Sequence, residues 1–298
     1  FGWRAVFVVP LVGGIVVAAA GVKLVQNVGE RSSTTLDILS VVLLAAGITA
    51  FVYSVGEFST NLIAGIVTLI AALVLLGLFA ARQLKLEHPV LNVRPMASVR
   101  FWPACLLVVV SMMTTFSMSV LLPLYFEGAY GMTALIAGLL ILPAIACNAV
   151  TSIVGGRVMD ARGAWPLLPV AVGQTAISMT AASMNIGVVV ALTVVVYAGV
   201  GLVLSPSQTA GLETLPAAEH PHGTALLNTW NMIAASFGPS LFIGLLSSSA
   251  ATAGAAGAAT DVAQAIGFAA AVRVAAVIAV VGFATSLVYA RRESHMSH

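Results

Sequence analysis

The chain has 298 residues, of which 60% are hydrophobic and only 7% are charged, and its formal net charge is +2. A soluble domain carries roughly 25% charged residues, so this composition excludes an ordinary globular fold. The apolar residues form long continuous runs, whereas the strands of a transmembrane barrel would alternate polar and apolar residues. We therefore predict an all-α membrane protein, whose helices satisfy their own backbone hydrogen bonds in lipid.

Uninterrupted apolar windows, each close to the roughly 20 residues that a membrane-crossing helix needs, predict about nine spans. They lie at 5–25, 36–56, 61–81, 103–126, 134–154, 166–186, 188–208, 224–248 and 266–290. Two of the runs nearly fuse around Asn185. A tight turn there divides a stretch of about 40 residues, which is too long for a single span.

The basic residues orient these spans, because Lys and Arg are concentrated in cytoplasmic loops. If the first connecting loop is cytoplasmic, 10 of the 12 basic residues lie on that side. They are Lys23, Arg31, Arg82, Lys85, Arg94, Arg100, Arg157, Arg162, Arg291 and Arg292. This orientation predicts a cytoplasmic C-terminus. The chain starts at Phe1 without Met and enters an apolar run at once, so we expect it to begin inside a longer polypeptide.

Two segments interrupt the apolar pattern. Residues 82–100 form the longest polar stretch, carry two prolines, and separate three predicted helices from six. Residues 247–265 are a low-complexity Ala/Gly/Ser segment, for which we expect a flexible external connection. Both cysteines, Cys105 and Cys147, lie in apolar runs, so we expect no disulfide and no metal site.

Several short motifs follow one another in a characteristic order. Residues 2–7 (Gly-Trp-Arg-Ala-Val-Phe), followed by Pro10 and Gly13, resemble the start of the sixth helix in the fourteen-helix drug:proton antiporter branch of the major facilitator superfamily. Residues 121–126 (Leu-Leu-Pro-Leu-Tyr-Phe) resemble the ninth-to-tenth helix signature of that branch. Residues 156–163 resemble the C-terminal copy of its cytoplasmic loop motif, and residues 199–202, 215–216 and 223–229 resemble parts of helices twelve and thirteen.

This resemblance implies a major facilitator fold that lacks most of its N-terminal domain. Residues 1–27 would be the last helix of that domain, residues 28–100 an inserted helix pair with a cytoplasmic linker, and residues 101–298 the C-terminal six-helix domain and tail. Transporters of this kind move two halves about a central substrate, so the chain would need the missing N-terminal helices, in the same or another chain.

The implied function is proton-coupled export of drugs or small amphipathic metabolites by alternating access, in the bacterial inner membrane. The alternative is a non-transport assembly or regulatory subunit derived from a truncated transporter. The sequence has no HExxH pair, no G-x-S-x-G and no Walker-type glycine loop, so we do not expect an enzyme, an ATP-driven pump or a cofactor. Nothing in the sequence indicates nucleic-acid binding.

Candidate substrate contacts lie on three predicted spans. Met112, Phe116 and Ser119 follow helical spacing and share one face of the fourth span, and Met side chains adapt to varied apolar compounds. Asn148, Asn228 and Trp230 add polar and aromatic groups on the fifth and eighth spans. Each Asn could instead serve only as an interhelical hydrogen-bonding group.

Three charged residues are candidates for coupling and conformational control. Glu127, at the outer end of the fourth span, is the proton-coupling candidate, with a hydrated loop carboxylate as the alternative. Asp160 and Arg162 match the loop motif and would form a conformational latch, or else an ordinary helix cap. The family usually has Arg directly after the motif aspartate, where this chain has Ala161, so any ionic role passes to Arg162.

Overall fold

The computed structural model describes residues 5–24, 37–57, 61–86, 89–99, 101–162, 176–177, 179 and 185–296, and of residues 158–162 and 285–296 it describes only the backbone. Within these ranges every regular element is a helix, which confirms the all-α class. The chain divides into two compact units, Phe1–Leu36 and Asp37–His298.

The first unit contains helix α1, Ala5–Leu24. Its bounds agree with the first predicted span to within one residue. The helix has 20 residues, and Pro10 lies inside it.

The second unit contains seven helices with known bounds, each long and apolar enough to cross a membrane. They are α2 (Ile38–Glu57), α3 (Leu62–Lys85), α4 (Phe101–Tyr130), α5 (Ala134–Arg162), α6 (Ile186–Glu213), α7 (His220–Ala255) and α8 (Thr260–Met296). Short 3-10 helices cover Arg94–Ala97 and Ala217–Glu219. The sixth predicted span, 166–186, lies largely outside the described residues, so the total of about nine spans stays a prediction.

Side-chain caps and a left-handed glycine fix several helix ends. Asn61 and Asn185 precede α3 and α6, and their side-chain oxygens accept the backbone N–H of Ala64 (3.1 Å) and Val188 (3.2 Å). Asn185 therefore marks the start of α6 within the long apolar stretch. At the end of α4, Gly131 donates its N–H to the carbonyl of Glu127. Its φ of +63° lies in the left-handed region, which glycine adopts readily because it has no side chain.

The expectation of a flexible loop at 247–265 is wrong. Helix α7 continues to Ala255 and α8 begins at Thr260, so the connection consists of residues 256–259. Gly257, with φ +91°, lies in this turn. The segment is rich in Ala, which has the highest helix propensity, so it extends the helix and does not form a loop.

The described helices from α4 to α8 form a bundle, here called the α4–α8 bundle, in which α4 packs against α6, α7 and α8. Helix α5 packs mainly against α6, and α7 packs against α8. Large side chains of the core include the fully buried Tyr125 and Phe268, whose rings stack with centroids 4.2 Å apart. The central position of α4 explains why most of its surface is buried.

Helices α2 and α3 form an antiparallel pair, here called the α2–α3 hairpin, which joins the bundle at α7. The rings of Phe51 in α2 and Phe237 in α7 stack with centroids 5.2 Å apart. A second apolar cluster contains Phe79 of α3, Phe101 of α4 and Leu226 of α7. Both contacts attach the hairpin to the α7 side of the bundle.

Candidate functional site

The predicted face of α4 lies opposite the side of the helix that packs in the bundle. Phe116 is 41% exposed and Ser119 is also exposed, while Met112 is partly buried. In contrast, Ser117 and Met118 are completely buried. Because successive residues of a helix turn by about 100°, α4 directs one face inward, and the described residues leave Phe116 and Ser119 on the other face uncovered.

The inward side of α4 carries buried polar groups beside its apolar ones. The hydroxyls of Ser111 and Ser117 are buried without a hydrogen-bond partner among the described residues. The side-chain oxygen of Asn231 in α7 is also buried without a hydrogen-bond partner among the described residues, and the residue as a whole is only 7% exposed. No pattern in the sequence indicates that Asn231 is buried.

Helices α4 and α7 run parallel and approach closely at glycines. Phe101 lies beside Gly223, where an added Cβ would come within 3.6 Å of its ring. Further along both helices, a Cβ at Gly238 would lie 2.8 Å from Ser117 Oγ and 3.2 Å from Met113 Cα. The contacts run in the same direction along both helices, from Phe101 and Gly223 to Ser117 and Gly238. Ser111 and Asn231 lie between these two contacts, so they are at similar depths on adjacent helices.

Asn148 bridges two helices. Its side-chain amide donates a 2.8 Å hydrogen bond to the backbone carbonyl of Tyr197 in α6, and the Tyr197 hydroxyl donates to the carbonyl of Thr115 in α4 at 3.3 Å. Gly201 allows this approach, since a Cβ there would lie 2.6 Å from the carbonyl oxygen of Asn148. These contacts favour the interhelical alternative for Asn148, while contact with a substrate stays a prediction.

The two other predicted contacts, Asn228 and Trp230, lie on different sides of α7. Asn228 is exposed. Trp230 is partly buried and packs against the second apolar cluster, on the side where the α2–α3 hairpin joins the bundle. Two positions apart on a helix means a rotation of about 200°, so the two side chains cannot line one surface.

The coupling and latch candidates lie at helix ends. Glu127 is exposed in the last turn of α4. Asp160 and Arg162 lie in the last turn of α5, which extends beyond the predicted end of the fifth span at residue 154. Their side chains are outside the described part of the chain, and the latch stays a prediction.

A polar network that the sequence did not reveal connects the two helices of the α2–α3 hairpin. Arg82 of α3 donates two hydrogen bonds to the Asp37 carboxylate, at 2.8 and 3.1 Å. The Ser40 hydroxyl donates to Asp37 at 2.6 Å and accepts from the Gln83 amide at 2.6 Å. The Gln83 carbonyl oxygen accepts the backbone N–H of Leu91 at 3.1 Å, so the network also holds the following linker.

The network also sets the charge state of Asp37, which precedes α2. The hydrogen bonds from the Arg82 guanidinium, followed by that from the Ser40 hydroxyl, hold the pKa of the Asp37 carboxyl well below its usual range. Asp37 and Arg82 are 45 positions apart in the sequence. Only the antiparallel arrangement of α2 and α3 brings them together, so no local sequence pattern could have identified the pair.

Comparisons with known proteins identify relatives along most of the chain. A family model described as Major Facilitator Superfamily matches residues 1–239. The chain is 32% identical over 298 residues to the uncharacterized MFS-type transporter YcnB of Bacillus subtilis, covering 96% of this chain and 62% of the relative. It is 30% identical over 253 residues to the lincomycin resistance protein LmrB of Listeria monocytogenes, covering 82% of this chain and 54% of the relative.

A more distant relative is the riboflavin transporter RibZ of Clostridioides difficile, 23% identical over 249 residues, which cover 81% of this chain and 54% of the relative. The chain thus spans about half the length of the curated relatives that it matches.

Proposed function

The chain belongs to the Major Facilitator Superfamily, and on that basis we propose that it is part of a proton-coupled secondary transporter that exports drugs or small amphipathic metabolites by alternating access. One relative is named for lincomycin resistance and another for riboflavin transport, so the relatives span drug and metabolite substrates. The seven apolar helices of the second unit fit a multi-pass protein of the bacterial inner membrane.

The uncovered face of α4 is the observation that supports this proposal best. The inward side of α4 packs against three helices of the bundle, and the opposite side presents Phe116 and Ser119, with Met112 partly buried beside them. In an alternating-access transporter, substrate binds between two halves. We place this face toward the second half, which would come from further helices in the same or another chain.

Coupling is assigned to Glu127 and to the end of α5. Glu127 is exposed in the last turn of α4, where solvent reaches its carboxylate. Asp160 and Arg162, in the last turn of α5, would form the latch that favours one conformation through an ion pair, and the negative end of the helix dipole favours the Arg162 cation there.

Replacing Phe116 by Ala in a full-length transporter that contains this chain tests the face assignment. An aromatic ring within about 6 Å of a cation contributes roughly 0.5–2 kcal/mol, so the apparent KM for an aromatic cation should rise roughly two- to thirty-fold. Energised uptake of a fluorescent cation into everted vesicles, whose cytoplasmic face is outside, measures this change. Leu124→Ala is the matched control, because Leu124 lies on the same helix and is 39% exposed. A rise in KM for Leu124→Ala with none for Phe116→Ala would contradict the assignment.

A second experiment separates the transporter proposal from a non-transport subunit. In liposomes with an imposed proton gradient, the 298-residue chain alone should move no lipophilic cation faster than empty vesicles, because one half cannot enclose a central site. Adding the helices of the other half should restore flux. Gradient-driven flux from the chain alone would refute the need for a second half, and no flux from the completed protein would refute transport.

A further inference from the structure

A small cluster of basic groups lies at the end of α3 where it meets the linker. Arg82 and Lys85 are in the last turn of α3, and both line an open cavity of about 290 Å³ together with Ala81 and Leu86. Arg94, in the linker, donates a 3.3 Å hydrogen bond from its guanidinium to the carbonyl of Leu84, the residue before Lys85. Three cationic side chains are thus gathered around one helix end.

The cations differ in how far they are already neutralised. Arg82 is paired with Asp37, which uses two of the five N–H donors of its guanidinium, and its side chain is still 39% exposed. Lys85 is exposed and makes no ion pair with a described residue. Arg94 is exposed and bonds a neutral carbonyl. Glu87 follows Lys85 by two positions in the sequence and is outside the described residues. The three cations outnumber the carboxylates of Asp37 and Glu87, so the cluster keeps an excess of positive charge.

Apolar surface adjoins this charge on α3. Val74 is 55% exposed and Leu78 is 54% exposed, and both share a face with Lys85 on a helix long and apolar enough to cross the membrane. A cavity of about 290 Å³ is close to the lower limit of roughly 300–1,000 Å³ for small-molecule pockets. It suits a small polar headgroup, while attached acyl chains would lie along the exposed Val74 and Leu78.

The geometry points to a binding site for the headgroup of an anionic phospholipid, formed by Arg82, Lys85 and Arg94 at the end of the α2–α3 hairpin. The phosphate would be held by the cations, since basic pockets between helices at the membrane surface attract anionic headgroups. Asp37 would keep Arg82 in place through its two hydrogen bonds and leave the remaining guanidinium donors for the lipid. The site lies on the hairpin, away from the uncovered face of α4, and does not depend on the proposed transport activity.

Native mass spectrometry of the purified 298-residue chain, titrated with phosphatidylglycerol or phosphatidylcholine, tests this site. We expect phosphatidylglycerol to bind preferentially. The double variant Lys85→Gln/Arg94→Gln should weaken phosphatidylglycerol binding roughly tenfold or more, because each cation near the membrane surface contributes about 1 kcal/mol. The charge-conserving variant Lys85→Arg/Arg94→Lys should keep most of the binding.

The control is Arg157→Gln/Arg273→Gln, which removes the same charge from two exposed arginines elsewhere on the described surface and should leave phosphatidylglycerol binding unchanged. An equal loss in the control would overturn the proposal in favour of general electrostatic attraction. Equal binding of phosphatidylcholine would show that the lipid binds through apolar surface alone, and this would also overturn the proposal. Displacement of phosphatidylglycerol by equimolar inorganic phosphate would assign the cavity to a free anion, and failure of phosphate to compete supports the lipid.

Discussion

Buried polar groups are paired in the α2–α3 hairpin and partly unpaired in the α4–α8 bundle. In the hairpin, Ser40 and Gln83 are almost completely buried and both are hydrogen-bonded. In the bundle, Ser111, Ser117 and Asn231 bury polar atoms without a partner among the described residues. An unpaired buried group costs about 1–3 kcal/mol. The hairpin geometry is therefore favoured by hydrogen bonds, whereas the bundle depends on close packing of apolar and glycine surfaces.

The largest effect is expected where helices of the bundle meet at a glycine. Gly201→Ala places a Cβ against the backbone carbonyl of Asn148 and the hydroxyl of Thr151, so α5 and α6 must separate. Overpacking of this kind costs about 1–3 kcal/mol or more. Thermal unfolding in detergent should show a clear fall in Tm. Gly138→Ala, on the open side of α5 with no atom within 4 Å, should leave the Tm unchanged.

A Gly→Ala substitution in the α2–α3 hairpin should lower the Tm less than Gly201→Ala does. A Cβ at Gly47 would lie 2.8 Å from the Cδ2 atom of Leu76, a side chain that can change its rotamer. Gly47→Ala should therefore cost less than about 1 kcal/mol. If Gly47→Ala lowers the Tm as much as Gly201→Ala does, the distinction between tight backbone packing and adaptable side-chain packing would be wrong.

Removal of the central amide of the hairpin network should have the next largest effect. Gln83→Ala removes the donor to the Ser40 hydroxyl and leaves the buried Leu91 N–H without its acceptor, at a cost of about 1–3 kcal/mol. Hydrogen exchange of the Leu91 amide and the Tm should both report the loss. Gln208→Ala is the control, because Gln208 is partly buried in α6 and has no hydrogen bond to a described residue. Unchanged exchange at Leu91 would contradict the network.

Two asparagines of the bundle allow paired and unpaired groups to be compared directly. Asn148→Leu breaks the hydrogen bond to the Tyr197 carbonyl and should lower stability by about 1 kcal/mol. Asn231→Leu removes an amide oxygen without a partner and should leave the Tm unchanged or raise it. A loss of stability in both variants would show that Asn231 has a partner in the folded membrane protein.

The smallest effect concerns pH. The pKa of Asp37 is lowered in the folded state, so its contribution is complete above the ordinary carboxyl pKa of about 3.9 and is lost only as the pH falls through the lower folded value. The difference in Tm between wild type and Asp37→Asn should therefore stay constant from about pH 5 to 8 and shrink below about pH 4. A difference that already changes near pH 6 would mean that Arg82 does not hold the carboxylate.

The sequence predicted the helical elements better than their ends. Continuous apolar runs located every one of the seven span-length helices, since the length of a membrane crossing is set by the bilayer. The ends were less accurate, as α7 continues to Ala255 and α5 to Arg162. Helices extend beyond the apolar core wherever residues of high helix propensity continue, and a hydropathy pattern does not record that extension.

The sequence could group candidate site residues only along single helices, and their role stays a prediction. Helical spacing grouped Met112, Phe116 and Ser119 on one face of α4, where Phe116 and Ser119 are exposed and Met112 is partly buried. Spacing could not show that Trp230 packs toward the hairpin or that Asn148 bonds α6. These contacts depend on which helix lies beside which, and no pattern within one helix contains that information.

Composition and hydropathy alone determined that this chain is an α-helical membrane protein, because lipid offers no partner to the backbone and leaves a helix as the only solution for long apolar runs. The order of short motifs was sufficient to indicate the family. Only the tertiary structure decided the pairing of Asp37 with Arg82, the burial of Asn231 and the close contact at Gly201. Each joins residues far apart in the sequence, and the free energy of such a contact depends on the distance in space between two helices.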